Sequence, residues 1–223
     1  MTYTPISAGT LNWDVPVNAA FTSQDNRITV NEATDATQNT RLTALENYNG
    51  FQPTELGALV WNFDPGMASG QSSTTAGVLH MIRLDVPVAI TVTNLVVAIQ
   101  TAGATLTAGQ NFGALYDSSG SRLAVSADQA SAFQATGTIT IPLTGTLGLS
   151  PGTYHAALLT NGTTQPQFMR TVGSATLAPT INFGTTVSTA RWGNSGSAQT
   201  TTPTSVTMSG RTFGASGFWA ALT

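Results

Sequence analysis

The sequence predicts a mainly β protein: a β-sandwich of jelly-roll type, preceded by a short N-terminal helical segment with coiled-coil character. Three observations predict it. Beyond about residue 55, turn signals such as Asp117-Ser118-Ser119-Gly120, Pro151-Gly152 and Asn161-Gly162 recur between short apolar runs. Only 8% of the 223 residues are charged, against roughly 25% in an average soluble domain, so the polar surface must be built from Thr, Ser, Asn, Gln and Gly, residues of strands and turns. Six of the ten acids (Asp14, Asp25, Glu32, Asp35, Glu46 and Glu55) lie in the first quarter of the chain, where the apolar spacing is helical and not twofold.

Trp13 to Phe21 reads as a helix start. Asp14 suits a cap, and Pro16 is tolerated in a first turn because its missing N–H has no helical partner there. The polar stretch Thr22 to Asn26 predicts a break, which separates a docking segment (residues 1–26) from a short helix (27–48). In the latter, Ile28, Asn31, Asp35, Gln38, Leu42 and Leu45 alternate by three and four, as a and d positions do. Such a helix is marginal alone, so these six residues are expected to line an oligomer axis, the alternative being an amphipathic helix folded back on its own domain. Asn47 to Pro53 stops it, and residues 49–54 read as a linker.

The β domain is expected over residues 55–223. Strands are read at Leu56 to Phe63, Gly77 to Val86, Thr91 to Gln100, Phe112 to Tyr116, Arg122 to Val125, Gly137 to Leu143, Thr153 to Thr160, within Phe168 to Val172 and Thr180 to Val187, at Thr204 to Met208 and at Gly217 to Leu222. Gly66 to Thr75 and Arg191 to Thr202 read as polar loops. Asn161-Gly162 is the expected hairpin turn, and Pro151-Gly152 a type II turn.

The chemistry classes narrow quickly. Seven scattered Arg and no Lys leave no basic stripe for phosphates, so no nucleic acid is expected. No apolar run reaches the roughly 18 residues of a membrane span. There is no Cys, no G-x-S-x-G and no H-E-x-x-H, so no catalytic residue, metal or cofactor is expected. His80 and His155 sit inside strand patterns and each reads as a strand histidine with one satisfied hydrogen bond. Trp61 and Trp219 read as core. Trp192, beside Arg191 in a polar loop, reads as a contact for glycan or a partner.

Trp13-Asp14-Val15-Pro16-Val17-Asn18-Ala19-Ala20-Phe21 followed by Asp25-Asn26-Arg27-Ile28 resembles the opening of tail and fibre-like virion proteins of phages infecting actinobacteria. Gly103 to Asp117, Leu149-Ser150-Pro151-Gly152-Thr153-Tyr154 and Phe218-Trp219-Ala220-Ala221-Leu222 resemble C-terminal domains of the same group. The resemblance implies a non-enzymatic structural protein at the particle surface, most often a minor tail protein and in some members a capsid decoration protein. On that expectation Trp13, Val15, Val17 and Phe21 dock onto other virion proteins, residues 27–48 form a homotrimer, and the β domain is displayed, with host cell-surface polysaccharide as a partner. A carbohydrate-binding module is the alternative.

Overall fold

The computed structural model describes residues 14–47, 51–171 and 182–223. The chain divides into two compact units, Met1–Gly50 and Phe51–Thr223.

The described residues of the first unit form a helix, α1 (Asp14–Asn47), 34 residues long and so about 50 Å from end to end. The expected break at residues 22–26 does not occur, so the boundary between the docking segment and the short helix falls inside an unbroken helix. Threonines lower helix propensity by competing for backbone hydrogen bonds. Here three hydroxyls bond back along the helix: Thr29 to the Asp25 carbonyl, Thr34 to Val30 and Thr37 to Ala33, at 2.8–2.9 Å. Every residue of α1 whose side chain is described is exposed, Phe21 (60%), Ile28 (55%), Val30 (64%) and Leu42 (56%) included.

The second unit is a β-sandwich. Its strands are β1 (Val60–Trp61), β2 (Gly70–Ser73), β3 (Leu79–Val86), β4 (Ile90–Thr101), β5 (Ala104–Leu106), β6 (Phe112–Asp117), β7 (Arg122–Val125), β8 (Gly137–Leu149), β9 (Gly152–Leu159), β10 (Gly162–Thr164), β11 (Gln167–Arg170), β12 (Trp192–Ser195), β13 (Thr212–Phe213) and β14 (Ala221–Leu222). In the first sheet β4 pairs with β8 along one edge. Its other edge pairs with β14 and β11, which in turn pair with β1 and β2. The second sheet runs β13-β12-β3-β9-β6-β7. All ladders are antiparallel, and β5 pairs with β10 in a small ladder of their own. Pro142 interrupts β8 where the register against β4 shifts, and β8 lies at a sheet edge, where a missing N–H is tolerated.

The sheets close on one apolar core that includes Ile82, Leu84, Val92, Leu95, Ile141 and Leu158. An aromatic series crosses it edge to face: His80 to Phe218 at 5.4 Å, Phe218 to Phe168 at 5.9 Å, and Phe168 to Phe133 at 5.5 Å. The outer face of the second sheet is also covered. Leu79, Met81, Ala114, Tyr116, Ala157 and Leu159 pack beneath Val206 and Met208.

Several elements differ from expectation for physical reasons. Leu56 to Phe63 contains only the two-residue β1, preceded by a 3-10 turn at Pro53–Leu56 that falls partly within the expected linker. The Gly/Ser stretch at residue 70 pairs as β2, and β12 forms where a loop was expected. Residues 182–187 form no strand, and residues 180–181 lie outside the described residues. Thr204 to Met208 is not a strand. Its alternating Val206 and Met208 cover the second sheet, held by a single bridge from Ser205 to Ser121. Asn161-Gly162 is not a hairpin turn, because β10 leaves β9 to pair with β5. Gly162 is required instead for close approach: a Cβ there would lie 2.6 Å from Leu106 Cα. Pro151-Gly152 carries the chain from the first sheet to the second.

The Asp117 loop forms as read. One Asp117 carboxylate oxygen accepts from the Ser119 and Ser121 N–H groups at 2.9 Å and from the Ser119 hydroxyl at 2.6 Å. No helix among the described residues is long and apolar enough to cross a membrane.

Candidate functional site

The polar groups of the sandwich converge in a cleft of 320 Å³ lined by Trp61, Asn62, Arg83, Asp85, Arg191 and Trp192. Each is held by its element. The Arg83 Nε donates to both Asp85 oxygens at 2.9 and 3.1 Å, and its Nη1 donates to the Thr189 carbonyl at 3.2 Å. The two residues alternate on one face of β3, which brings the guanidinium and carboxylate together. Asp85 also accepts from the Thr153 hydroxyl at 2.7 Å. The Arg83 N–H donates to the Arg191 carbonyl, which fixes the approach of Arg191. The Arg191 guanidinium then lies 4.6 Å over the Trp192 ring.

Two of the lining residues, Asn62 and Trp192, meet at the Phe218 carbonyl. It accepts from Asn62 Nδ2 at 2.7 Å and from Trp192 Nε1 at 3.2 Å. Asn62 Oδ1 in turn accepts from the Ala220 N–H at 3.0 Å. Thus β1, β12 and the C-terminal segment share one node. Among the lining residues there is one carboxylate, already engaged by Arg83 and Thr153, and two guanidinium groups. That arrangement can hold hydroxyl- or carboxylate-bearing ligands against the half-buried Trp61. It lacks the converging carboxylate pair that glycoside hydrolysis uses.

Trp192 is not the loop-borne platform read from its polar neighbours. It is 4% exposed and belongs to the main core, although it borders the cleft. Conversely, Trp61 and Trp219 do not fill the sandwich. They pack with Ala58, Val96 and Ala221 on the outer face of the first sheet, where Trp219 Nε1 donates to the Phe63 carbonyl at 3.0 Å. Trp61, Asn62, Arg83 and Asp85 were missed as site residues. The one signal for the last two was a charged pair two residues apart in a mostly apolar strand.

Of the residues assigned to docking, Trp13 lies outside the described residues, Val15 and Val17 fall in the first turns of α1, and Phe21 is exposed. The expected oligomer residues all lie on α1, with Ile28, Asn31, Asp35, Gln38 and Leu42 exposed and Leu45 near the helix end.

A second polar cluster is buried. His155, 1% exposed, pairs across β9 with Arg83 and Tyr116 and lies near Arg211, itself 3% exposed. Neither His155 ring nitrogen has a well-formed hydrogen bond, its approach to the Asp117 backbone coming nearest, so the expected satisfied histidine is not found at this position. Burial first, then the charges of Arg211 and Arg83, push its pKa down to about 3, with Asp85 opposing. His80 does have its bond: its Nε2 accepts from the Thr75 N–H at 2.9 Å. Burial lowers its pKa to about 4.

Comparison with models of known protein families and with curated proteins finds no match for this chain.

Proposed function

We propose that this chain is a non-enzymatic structural protein of a phage particle, a minor tail or fibre-like protein. Its helix joins copies of itself, as a homotrimer, and neighbouring virion proteins, while its β-sandwich is displayed at the particle surface. The observation that carries the reading is α1. A helix of 34 residues that leaves Phe21, Ile28 and Leu42 more than half exposed has not buried the apolar surface that stabilises helices in folded proteins. Assembly supplies that burial. The sandwich carries its own core and needs no such help. Decoration of the capsid is the other position on the particle that the same architecture serves.

Light scattering on the full chain is expected to give the mass of three copies, and residues 51–223 alone the mass of one. A monomeric full-length chain at tens of micromolar would remove the assembly reading.

The cleft favours a second reading, adhesion to cell-surface glycan. Two guanidinium groups, Asn62 and the half-buried Trp61 surround a space of 320 Å³, within the ordinary range of roughly 300–1,000 Å³ for small-ligand sites. On a glycan array the Arg191→Ala and Trp61→Ala variants are expected to lose at least about tenfold in binding, the scale of one charge-assisted hydrogen bond. Binding unaltered by both changes, or no binding by the unaltered protein, removes this role for the cleft.

A further inference from the structure

Because α1 is unbroken, its residues share one heptad frame. With Ile28 at a and Asn31 at d, Phe21 falls at a and Val17 and Gln24 at d, so residues assigned to docking continue the stripe of Ile28, Leu42 and Leu45. The stripe alone is thin, since Gln24, Asn31, Asp35 and Gln38 interrupt it.

The charges carry the argument further. In the same frame Asp25, Glu32 and Glu46 occupy e, while Arg27 and Arg41 occupy g. Both arginines precede a glutamate by five residues: Arg27 by Glu32, and Arg41 by Glu46. Five residues along one helix turn a side chain by about 140°, so that spacing cannot close a pair within the chain. No residue three or four positions from Arg27 or Glu32 carries the opposite charge. Between parallel helices in register, however, a g residue faces the e residue five positions on in the neighbouring helix. In an antiparallel arrangement e would face e and g would face g, setting acid against acid and arginine against arginine.

We propose that α1 binds further copies of this chain as a parallel, in-register bundle, clamped by Arg27 against Glu32 of the neighbouring copy, with the spacing repeated at Arg41 and Glu46. The proposal rests on the assembly reading above and adds orientation, register and the residues that set them.

The full chain has no cysteine, so a single introduced thiol reports geometry without background. In the parallel bundle Gln24 meets Gln24 of the neighbouring copy. The Gln24→Cys variant is expected to form interchain disulfides under mild oxidation. Arg27→Glu and Glu32→Arg are each expected to weaken association roughly ten- to hundredfold by replacing several attractions with repulsions. The double variant, which restores opposite charges at g and e, is expected to regain association. An oligomer in which Gln24→Cys fails to cross-link, or in which the double variant is no better than either single one, overturns the parallel clamp and leaves assembly standing. A monomeric full-length chain overturns both.

Discussion

Between pH 6.5 and 4 the β-sandwich is expected to lose about 6 kcal/mol of stability, most of a typical domain's total. The loss comes from two histidines. His155 titrates near 3 and His80 near 4 in the folded protein, against 6.5 unfolded. Both folded values are depressed because the sandwich buries the neutral rings. Below pH 6.5 the unfolded chain therefore takes up protons that the folded chain cannot, and stability falls as pH falls. The loss continues until the pH reaches each folded value. At pH 4 each histidine contributes about 3 kcal/mol to it, at 1.36 kcal/mol per pH unit. The charges around His155 reinforce this. Arg211 and Arg83 together disfavour a proton on His155 more than Asp85 favours it. Denaturant unfolding at pH 7, 5.5 and 4.5 checks the slope. The His155→Leu variant is expected to halve it, since Leu cannot be protonated and nothing hydrogen-bonds firmly to the ring that would be lost. Stability constant from pH 6.5 to 4.5 would show that these rings are solvated in the folded protein.

Elements fixed by local contacts were legible in the sequence, and those fixed by long-range packing were not. The hairpin of β6 and β7 was readable because Asp117 bonds its own loop backbone, a contact made within four residues. The twofold alternation of β3 was readable too, though both its faces proved buried for much of its length. That second burial depends on Val206 and Met208, more than a hundred residues on, and no local pattern announces it. Glycine was ambiguous for a similar reason. At Gly162 it marks a close approach to Leu106 and not a turn. At Gly120 it does both: its φ is +93°, and a Cβ there would collide with the Val206 carbonyl. The continuity of α1 was hidden by polar residues at 22–26, which lower propensity without preventing a helix. The cleft was the least legible feature, because Trp61, Arg83 and Arg191 come from three distant strands or strand ends.

Trp192 gives the sharpest contrast between a residue's neighbours in sequence and its neighbours in space. Its flanks, Arg191 and Gly193-Asn194-Ser195, suggest an exposed aromatic. In the fold it is enclosed by residues far along the chain. A Cβ on Gly217 would lie 3.1 Å from its ring, and one on Gly214 would lie 3.0 Å from its backbone. These two glycines let the segment before β14 close over it. Its Nε1 donates to the Phe218 carbonyl, and Phe218 anchors the aromatic series across the core. Trp192→Ala therefore removes a buried ring and one buried hydrogen bond together. The expected cost is about 3–5 kcal/mol for the cavity and lost transfer energy, with about 1 kcal/mol more for the hydrogen bond. In a domain of this size that lowers the Tm by roughly 10–15 °C. Trp192→Phe keeps most of the packing and is expected to recover over half of the loss. Arg191→Ala removes only the exposed stacked cation and is expected to change stability by less than about 0.5 kcal/mol. Calorimetry on the three variants separates the two views of this residue. A surface platform predicts an unchanged Tm for Trp192→Ala, whereas a ring that ties β12 to the C-terminal segment predicts the order Arg191→Ala, Trp192→Phe, Trp192→Ala from least to most destabilised.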